Sequence, residues 1–145
     1  MQHPNRGRRV VLAALSACAL AYVLPVQAQD PRYSEAQAVA HDWLVITDSG
    51  DAAKAYSVAA KRFQSAMTSE QWQAAQKKAR EGFGANKRRT LVSTQPPKPG
   101  PNVPPGDFLV IIYRAEFEKR SDATETLTLE KEADGKWRVV GYLMR

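Results

Sequence analysis

Residues 124–145 read TETLTLEKEADGKWRVVGYLMR and predict a β-hairpin. Threonine alternates with glutamate and leucine from Thr124 to Leu129, the period of a strand with one buried face. The pair Asp134-Gly135 follows, and such a pair favours the positive φ angles of a tight hairpin turn. Alternation resumes after Trp137 and continues to the last residue, so the rest of the chain is expected to cover this sheet.

The stretch upstream predicts three helices. Ser34 and Thr68 each precede a glutamine by three residues, which is the spacing of a helix-capping box. Gly50 can close the first helix, and Asp51 can cap the second. The apolar faces consist of Ala36, Ala40, Trp43, Leu44 and Thr47; of Ala52, Tyr56, Ala59, Phe63 and Met67; and of Trp72, Ala75, Ala79 and Phe83. The large aromatic residues should carry most of the helical share of the core.

Two further strands are predicted between the helices and the hairpin. The first covers 87–95, and the second covers 107–119 and ends in a turn at Ser121-Asp122. Between them, six prolines from Pro96 to Pro105 remove ladder donors, so this segment is expected to be a stiff surface loop. The predicted class is α+β, with three helices packed on one face of a curved, cone-like sheet of four antiparallel strands.

The N-terminal residues 1–28 have the form of a signal peptide. Three arginines precede an apolar run over 10–24, which is too short for a convincing membrane span. A small-x-small cleavage site ends at Ala28, before Gln29. We therefore expect a periplasmic or secreted protein. The alternative is a lipid anchor on Cys18, although the apolar run continues beyond it.

Removal of this peptide leaves residues 29–145, which suit a single small domain. The net charge falls from +6 to +3, so the basic composition is poor support for nucleic-acid binding. No cysteine follows Ala28, which excludes disulfides and thiol catalysis in the mature chain. We expect no transmembrane segment there.

The order and spacing of several short motifs resemble domain of unknown function 4019 across nearly all of the mature chain. The motifs are Trp43-Leu44, Asp48, Gly50, Gln71-Trp72, Arg80, Phe83-Gly84, Arg88-Arg89, Pro105-Gly106-Asp107-Phe108, Phe117, Glu125-Thr126 and the run 135–142. The resemblance implies an exported protein of Gram-negative bacteria, and no activity comes with it. The closing hairpin is also similar to those of the nuclear-transport-factor-2-like and cystatin-like α+β class, which hosts enzymes and non-enzymes.

Few residues offer catalytic or metal chemistry. The mature chain has one histidine, His41, which lies off the apolar stripe of its helix, so no metal site or cofactor is expected. Two carboxylate pairs could share a pocket for acid–base work: Asp42 with Asp48, or Glu116 with Glu125.

Glu125 is the one weak catalytic candidate. It shares its strand face with Leu127 and Leu129 and should point inward, where a buried carboxylate requires a cation. Arg80, Arg89 and Arg138 are the candidate partners. A structural ion pair is the simpler interpretation of this residue.

A basic cluster of six residues spans the end of the third helix and the first strand: Lys77, Lys78, Arg80, Lys87, Arg88 and Arg89. Such a cluster is typical of a solvated surface. The functional interpretation is that it binds an anionic envelope component. We selected Arg80, Arg88, Arg89 and Glu125 as candidate ligand- or partner-binding residues. We expect no nucleic-acid partner.

Together these features favour a non-enzymatic envelope module that binds a partner protein or an envelope component through the open side of its sheet. The alternative is a small pocket enzyme of the cone-shaped class that uses an inward carboxylate such as Glu125. A deep cavity lined by ionisable side chains would favour the enzyme, and a core filled by aromatic side chains would disfavour it.

Overall fold

The computed structural model describes residues 30–145 and arranges them as helices followed by one open antiparallel sheet. The helices are α1 Pro31–Asp48, α2 Ala52–Ser57, α3 Lys61–Ala66 and α4 Ser69–Phe83. The strands are β1 Asn86–Gln95, β2 Asp107–Phe117, β3 Arg120–Lys131 and β4 Trp137–Met144, paired in the order β1-β2-β3-β4. The predicted α+β class is confirmed. The predicted signal peptide, its cleavage after Ala28 and lipidation at Cys18 lie outside the described residues.

The prediction of three helices is wrong, because the expected second helix is broken into α2 and α3. At the break the N–H of Ala60 donates to the carbonyl of Val139 on β4, at 2.9 Å. The side-chain amide of Gln64 donates to the carbonyls of Tyr56, Ser57 and Ala59 at 3.0–3.2 Å. A continuous helix would have paired these N–H and carbonyl groups internally. At the break they are hydrogen-bonded to Val139 and to the Gln64 side chain instead.

The predicted start of α1 at Ser34 is also wrong. The helix begins one turn earlier, where the carboxylate of Asp30 accepts from the N–H of Arg32 at 3.0 Å and Pro31 takes the first helical position. Gln37 does not complete a capping box, since its amide donates to Thr94 Oγ1 at 2.8 Å and ties α1 to β1.

The other two predicted helix starts are confirmed. Asp51 accepts from the N–H of Lys54 at 3.0 Å, and Gly50 precedes it with a φ of 84°. Thr68 and Gln71 form a reciprocal capping box at the start of α4, with bonds of 2.8 and 3.3 Å.

The predicted turn at Ser121-Asp122 is wrong, because both residues belong to β3 and the chain turns at Glu118 and Lys119. Their N–H groups donate to the carbonyls of Ala85 and Phe83, at 2.9 and 3.0 Å. The turn therefore packs against the link between α4 and β1. At Gly84, with a φ of 76°, a Cβ atom would lie 2.9 Å from the Cβ of Glu118, so this contact needs glycine.

The remaining strand predictions agree with the structure. The residues between β3 and β4 include Gly135 with a φ of 77°, which confirms the hairpin predicted at Asp134-Gly135. The proline-rich segment between β1 and β2 contains neither helix nor strand, as expected.

No helix in residues 30–145 has both the length and the apolar character needed to cross a bilayer.

The core lies between the helices and the inner face of the sheet, and aromatic side chains fill it. Trp43 and Trp72 lie with ring centroids 5.5 Å apart, and Phe63 packs edge-on against Trp72 at 5.1 Å. The sheet contributes Leu109, Ile111, Leu127, Leu129, Trp137 and Val139. A smaller cluster near the β2–β3 turn is built on Ala115, Phe117 and Ala123. The predicted roles of Trp43 and Trp72 as core residues are confirmed, and Trp137 joins them from the sheet.

Candidate functional site

Glu125 points into the core from β3, as the alternation of its strand predicts. It is fully buried, together with Leu127 and Leu129 on the same face. Transfer of an isolated carboxylate from water to such a place is very costly, so its partners decide whether the fold tolerates it.

Arg89 is the partner of Glu125 among the three arginines considered. Its Nε donates to Glu125 Oε2, and its Nη2 donates to Oε1 at 3.0 Å. The same guanidinium binds a second carboxylate, with Nη1 2.9 Å from Asp48 Oδ2. Burial alone would lower the pKa of Arg89, but the hydrogen bonds that it donates to Glu125 and Asp48 outweigh burial and raise that pKa. Arg89 therefore carries its full charge between two carboxylates.

Arg80 extends this arrangement to the end of α1. Its Nη2 donates to Asp48 Oδ1 at 2.9 Å and to the carbonyl of Thr47 at 2.6 Å. The third arginine, Arg138, lies elsewhere and pairs with Glu132 and Asp134 at 2.6 and 2.7 Å. Arg80, from α4, therefore places its positive charge at the C-terminal end of α1, where the helix dipole favours a cation.

Tyr142 completes the hydrogen bonding of Glu125 from β4. Its hydroxyl donates to Glu125 Oε1 at 2.5 Å. Burial, and then the negative charge of Glu125, raise the pKa of Tyr142, so the phenol keeps its proton and remains a donor. We call the set Arg80, Asp48, Arg89, Glu125 and Tyr142 the inner polar network.

The two carboxylate pairs predicted from the sequence do not form. The side chain of Asp42 is 83% exposed and lies 3.4 Å from His41, while Asp48 faces Arg80 and Arg89. Glu116 is paired with Arg88 on the opposite face of the sheet from Glu125. The carboxylates that do come together are Asp48 and Glu125, which share Arg89, and Arg80 supplies the second positive charge.

This network has the character of a structural device. Both oxygens of Glu125 are hydrogen-bonded, and the residue has no exposed surface. It does not line the pockets of about 430, 600 and 210 Å³ found in residues 30–145. A general acid or base must be within hydrogen-bond reach of its substrate, and in this structure both Glu125 oxygens are already engaged by Arg89 and Tyr142.

The basic cluster predicted between 77 and 89 does not form one surface. Arg88 and Arg89 are neighbours in sequence but lie on opposite faces of β1, and Arg80 is held at the end of α1. Lys77 and Arg80 line the same pocket beside α4. In residues 30–145 no group of three or more histidine, cysteine or acidic side chains could hold a metal ion.

Sequence reasoning missed Asp48 and Tyr142 as members of the inner polar network. Asp48 comes from a helix, and no spacing rule links it to β1. Tyr142 could have been found, since Tyr142 and Glu125 lie on the same face of the hairpin that closes at Asp134-Gly135.

A family model described as "Protein of unknown function (DUF4019)" matches residues 39–142. The matched range includes all five residues of the inner polar network. A search of curated proteins returned no match.

Proposed function

Since the chain belongs to the DUF4019 family of proteins of unknown function, we propose its role from its own geometry: it is an exported, non-enzymatic module that binds a partner protein through the outer face of its sheet. The observation that carries the proposal is the saturation of Glu125, the inward carboxylate on which the alternative pocket enzyme depends. Because Arg89 and Tyr142 engage both oxygens of the Glu125 carboxylate, we assign the function to an exposed surface of the domain.

The outer face of the sheet supports binding because its centre is partly apolar. One row of neighbouring residues runs across all four strands, formed by Ser93, Ile112, Thr126 and Leu143. The next row consists of Gln95, Val110, Thr128 and Gly141. Leu143 is 46% exposed. Threonine, valine and isoleucine on a pleated surface offer apolar contact area to a protein partner. We call these two rows of residues the platform.

A charged margin borders this platform at one end. Arg114 and the Arg88–Glu116 pair follow the apolar rows along β1 and β2 on the same face. An apolar centre with a polar margin is the usual anatomy of a protein interface. An anionic envelope component is less well supported, since the cations of the basic cluster point to different surfaces.

We further propose that the domain belongs to the cone-shaped α+β class. All helices that pack on the sheet lie on its inner face, and each of the three strand pairs contains a register shift. Such bulges increase local twist and bend a sheet. The open side of the bent sheet is then the proposed binding face.

The binding proposal is tested with Thr126→Lys, which places a charge in the centre of the platform. We expect this variant to lose a specifically cross-linked partner from an envelope extract of the producing cells by at least about tenfold. The matched control is Val45→Lys, because Val45 is 53% exposed on α1 and lies away from the outer face. Equal capture by wild type and Thr126→Lys would contradict the proposal. Dimerisation of the pure protein, lost in Thr126→Lys, would identify the partner as a second copy.

Export is tested by the mass of the N-terminal peptide of the mature protein. We expect it to begin at Gln29, which follows the small-x-small site ending at Ala28. A lipid-modified peptide beginning at Cys18 would show the alternative anchor, and a peptide that retains residues 1–28 would contradict export.

A further inference from the structure

A pocket of about 430 Å³ lies between the end of α1 and the side of α4, away from the outer face of the sheet. This volume is within the range of small-molecule sites. Its lining includes two cations, Lys77 and Arg80, and no carboxylate, while Ala52 and Ala74 provide apolar surface. The lining therefore favours a ligand with a negative charge and a small apolar part.

Gln76 gives this pocket a polar side chain from α4. The residue is only 7% exposed and lines the pocket. In residues 30–145 the buried side-chain atoms without a hydrogen-bond partner are Trp137 Nε1 and Asn86 Nδ2, and the Gln76 amide is not among them. A carboxamide has two N–H donors, so Gln76 can donate to a ligand in the pocket.

Arg80 adds a pre-oriented positive charge. Within residues 30–145 only its Nη2 is used, in bonds of 2.6 Å to the carbonyl of Thr47 and 2.9 Å to Asp48. These bonds hold the guanidinium in place and leave Nε and Nη1 as donors. A group held in this way loses little conformational entropy when it binds a ligand.

Among residues 30–145, the side chains that line the pocket include two positive charges and no carboxylate. The inner polar network contains two arginines and two carboxylates, because Asp48 is shared by Arg80 and Arg89 and Glu125 pairs with Arg89. It is therefore neutral as a whole. Lys77, which lines the pocket and is exposed, adds one positive charge beyond that balance.

We propose that this pocket binds a small organic carboxylate. The carboxylate accepts from the Gln76 amide and from Arg80, Lys77 adds long-range attraction, and the apolar part of the ligand rests on Ala52 and Ala74. Charge-assisted hydrogen bonds of this kind are stronger than neutral ones. The site is separate from the sheet face, so the proposal does not depend on the partner-binding function.

The test is an NMR titration of the full mature chain with sodium benzoate, with neutral benzamide as the matched ligand. We expect saturable benzoate shifts centred on the side-chain amide of Gln76, and none of comparable size with benzamide. Gln76→Leu, which replaces the carboxamide by an apolar group of similar size, should weaken benzoate binding about tenfold. Lys77→Met should weaken it about threefold, with a reduced dependence on salt.

Lys78→Met is the control variant, because Lys78 is also exposed on α4 but does not line the pocket. We expect it to bind benzoate like wild type, and so should Thr126→Lys, which alters only the sheet face. The proposal is overturned by equal shifts with benzamide, by shifts centred outside the pocket, or by a well-folded Gln76→Leu protein that binds benzoate as wild type does.

Discussion

Replacing Arg89 by methionine should lower the free energy of unfolding by about 3–5 kcal/mol, the usual cost of removing one partner from a buried ion pair. Methionine retains much of the apolar side chain, so the main loss is the charge opposite Glu125. Glu125 is fully buried, and the side chain of Arg89 is only 15% exposed, which limits compensation by water. Asp48 retains Arg80, so the damage falls mainly on Glu125.

The neighbouring residue provides the control for this prediction. Arg88 also pairs with a glutamate, Glu116, but its side chain is 70% exposed on the outer face. Exposed pairs of this kind contribute about 0–1 kcal/mol, so Arg88→Met should change stability by no more than that. Two adjacent arginines with the same substitution thus separate the effect of burial from the effect of charge.

A double variant tests whether the cost comes from the unpaired carboxylate. In Arg89→Met/Glu125→Gln the buried charge is gone, and the amide oxygen of glutamine can still accept from Tyr142. We therefore expect the second substitution to restore part of the stability lost in Arg89→Met, a coupling of about 0.5–3 kcal/mol. Chemical denaturation of the wild type, Arg89→Met, Glu125→Gln and the double variant measures this coupling. Additive losses, or an Arg89→Met protein as stable as Arg88→Met, would refute a structural role for the inner polar network.

The second large effect is expected at Trp43, which joins α1 to α2 and to the sheet. The side chain is 2% exposed, and its ring packs against Trp72 at 5.5 Å and Tyr142 at 5.2 Å. Trp43→Ala should therefore cost about 3–5 kcal/mol, through lost burial and the cavity left behind. Thermal unfolding with chemical denaturation gives the loss. A cost below about 1 kcal/mol would show that the aromatic cluster does not hold the helices to the sheet.

A matched pair of conservative variants isolates the indole N–H within this effect. Trp43 Nε1 donates to the carbonyl of Ala55 at 2.9 Å, whereas Trp137 Nε1 is buried without a partner in the described residues. Trp43→Phe leaves a buried carbonyl unpaired, and Trp137→Phe removes an unpaired donor. The first should therefore cost about 1–3 kcal/mol more than the second, although each loses the same ring volume. Equal losses would mean that packing alone accounts for the role of Trp43.

Local rules account for the elements that the sequence predicted correctly. The capping box at Thr68, the cap at Asp51 and the hairpin at Asp134-Gly135 each depend on residues within a few positions of one another. Glu125 was placed inside by the two-residue period of its own strand. Such signals hold wherever the surrounding fold does not offer a competing interaction.

The predictions that were wrong are those where a distant contact competes with a local pattern. The apolar stripe from 52 to 67 has helical spacing, yet Ala60 pairs with Val139, almost eighty positions away, and the helix divides there. Ser121-Asp122 suits a turn, but the backbone of Glu118 and Lys119 is held by Phe83 and Ala85 at the link between α4 and β1, which moves the turn three residues earlier.

The sequence by itself determined the α+β class, the closing hairpin, the inward direction of Glu125 and the need of that residue for a cation. Only the tertiary structure decided that Arg89 supplies the cation, that Asp48 shares it and that Tyr142 completes the shell. The physical reason is distance. Hydrogen bonds and ion pairs are specific within a few ångströms, and the residues of this network lie up to 94 positions apart in the chain.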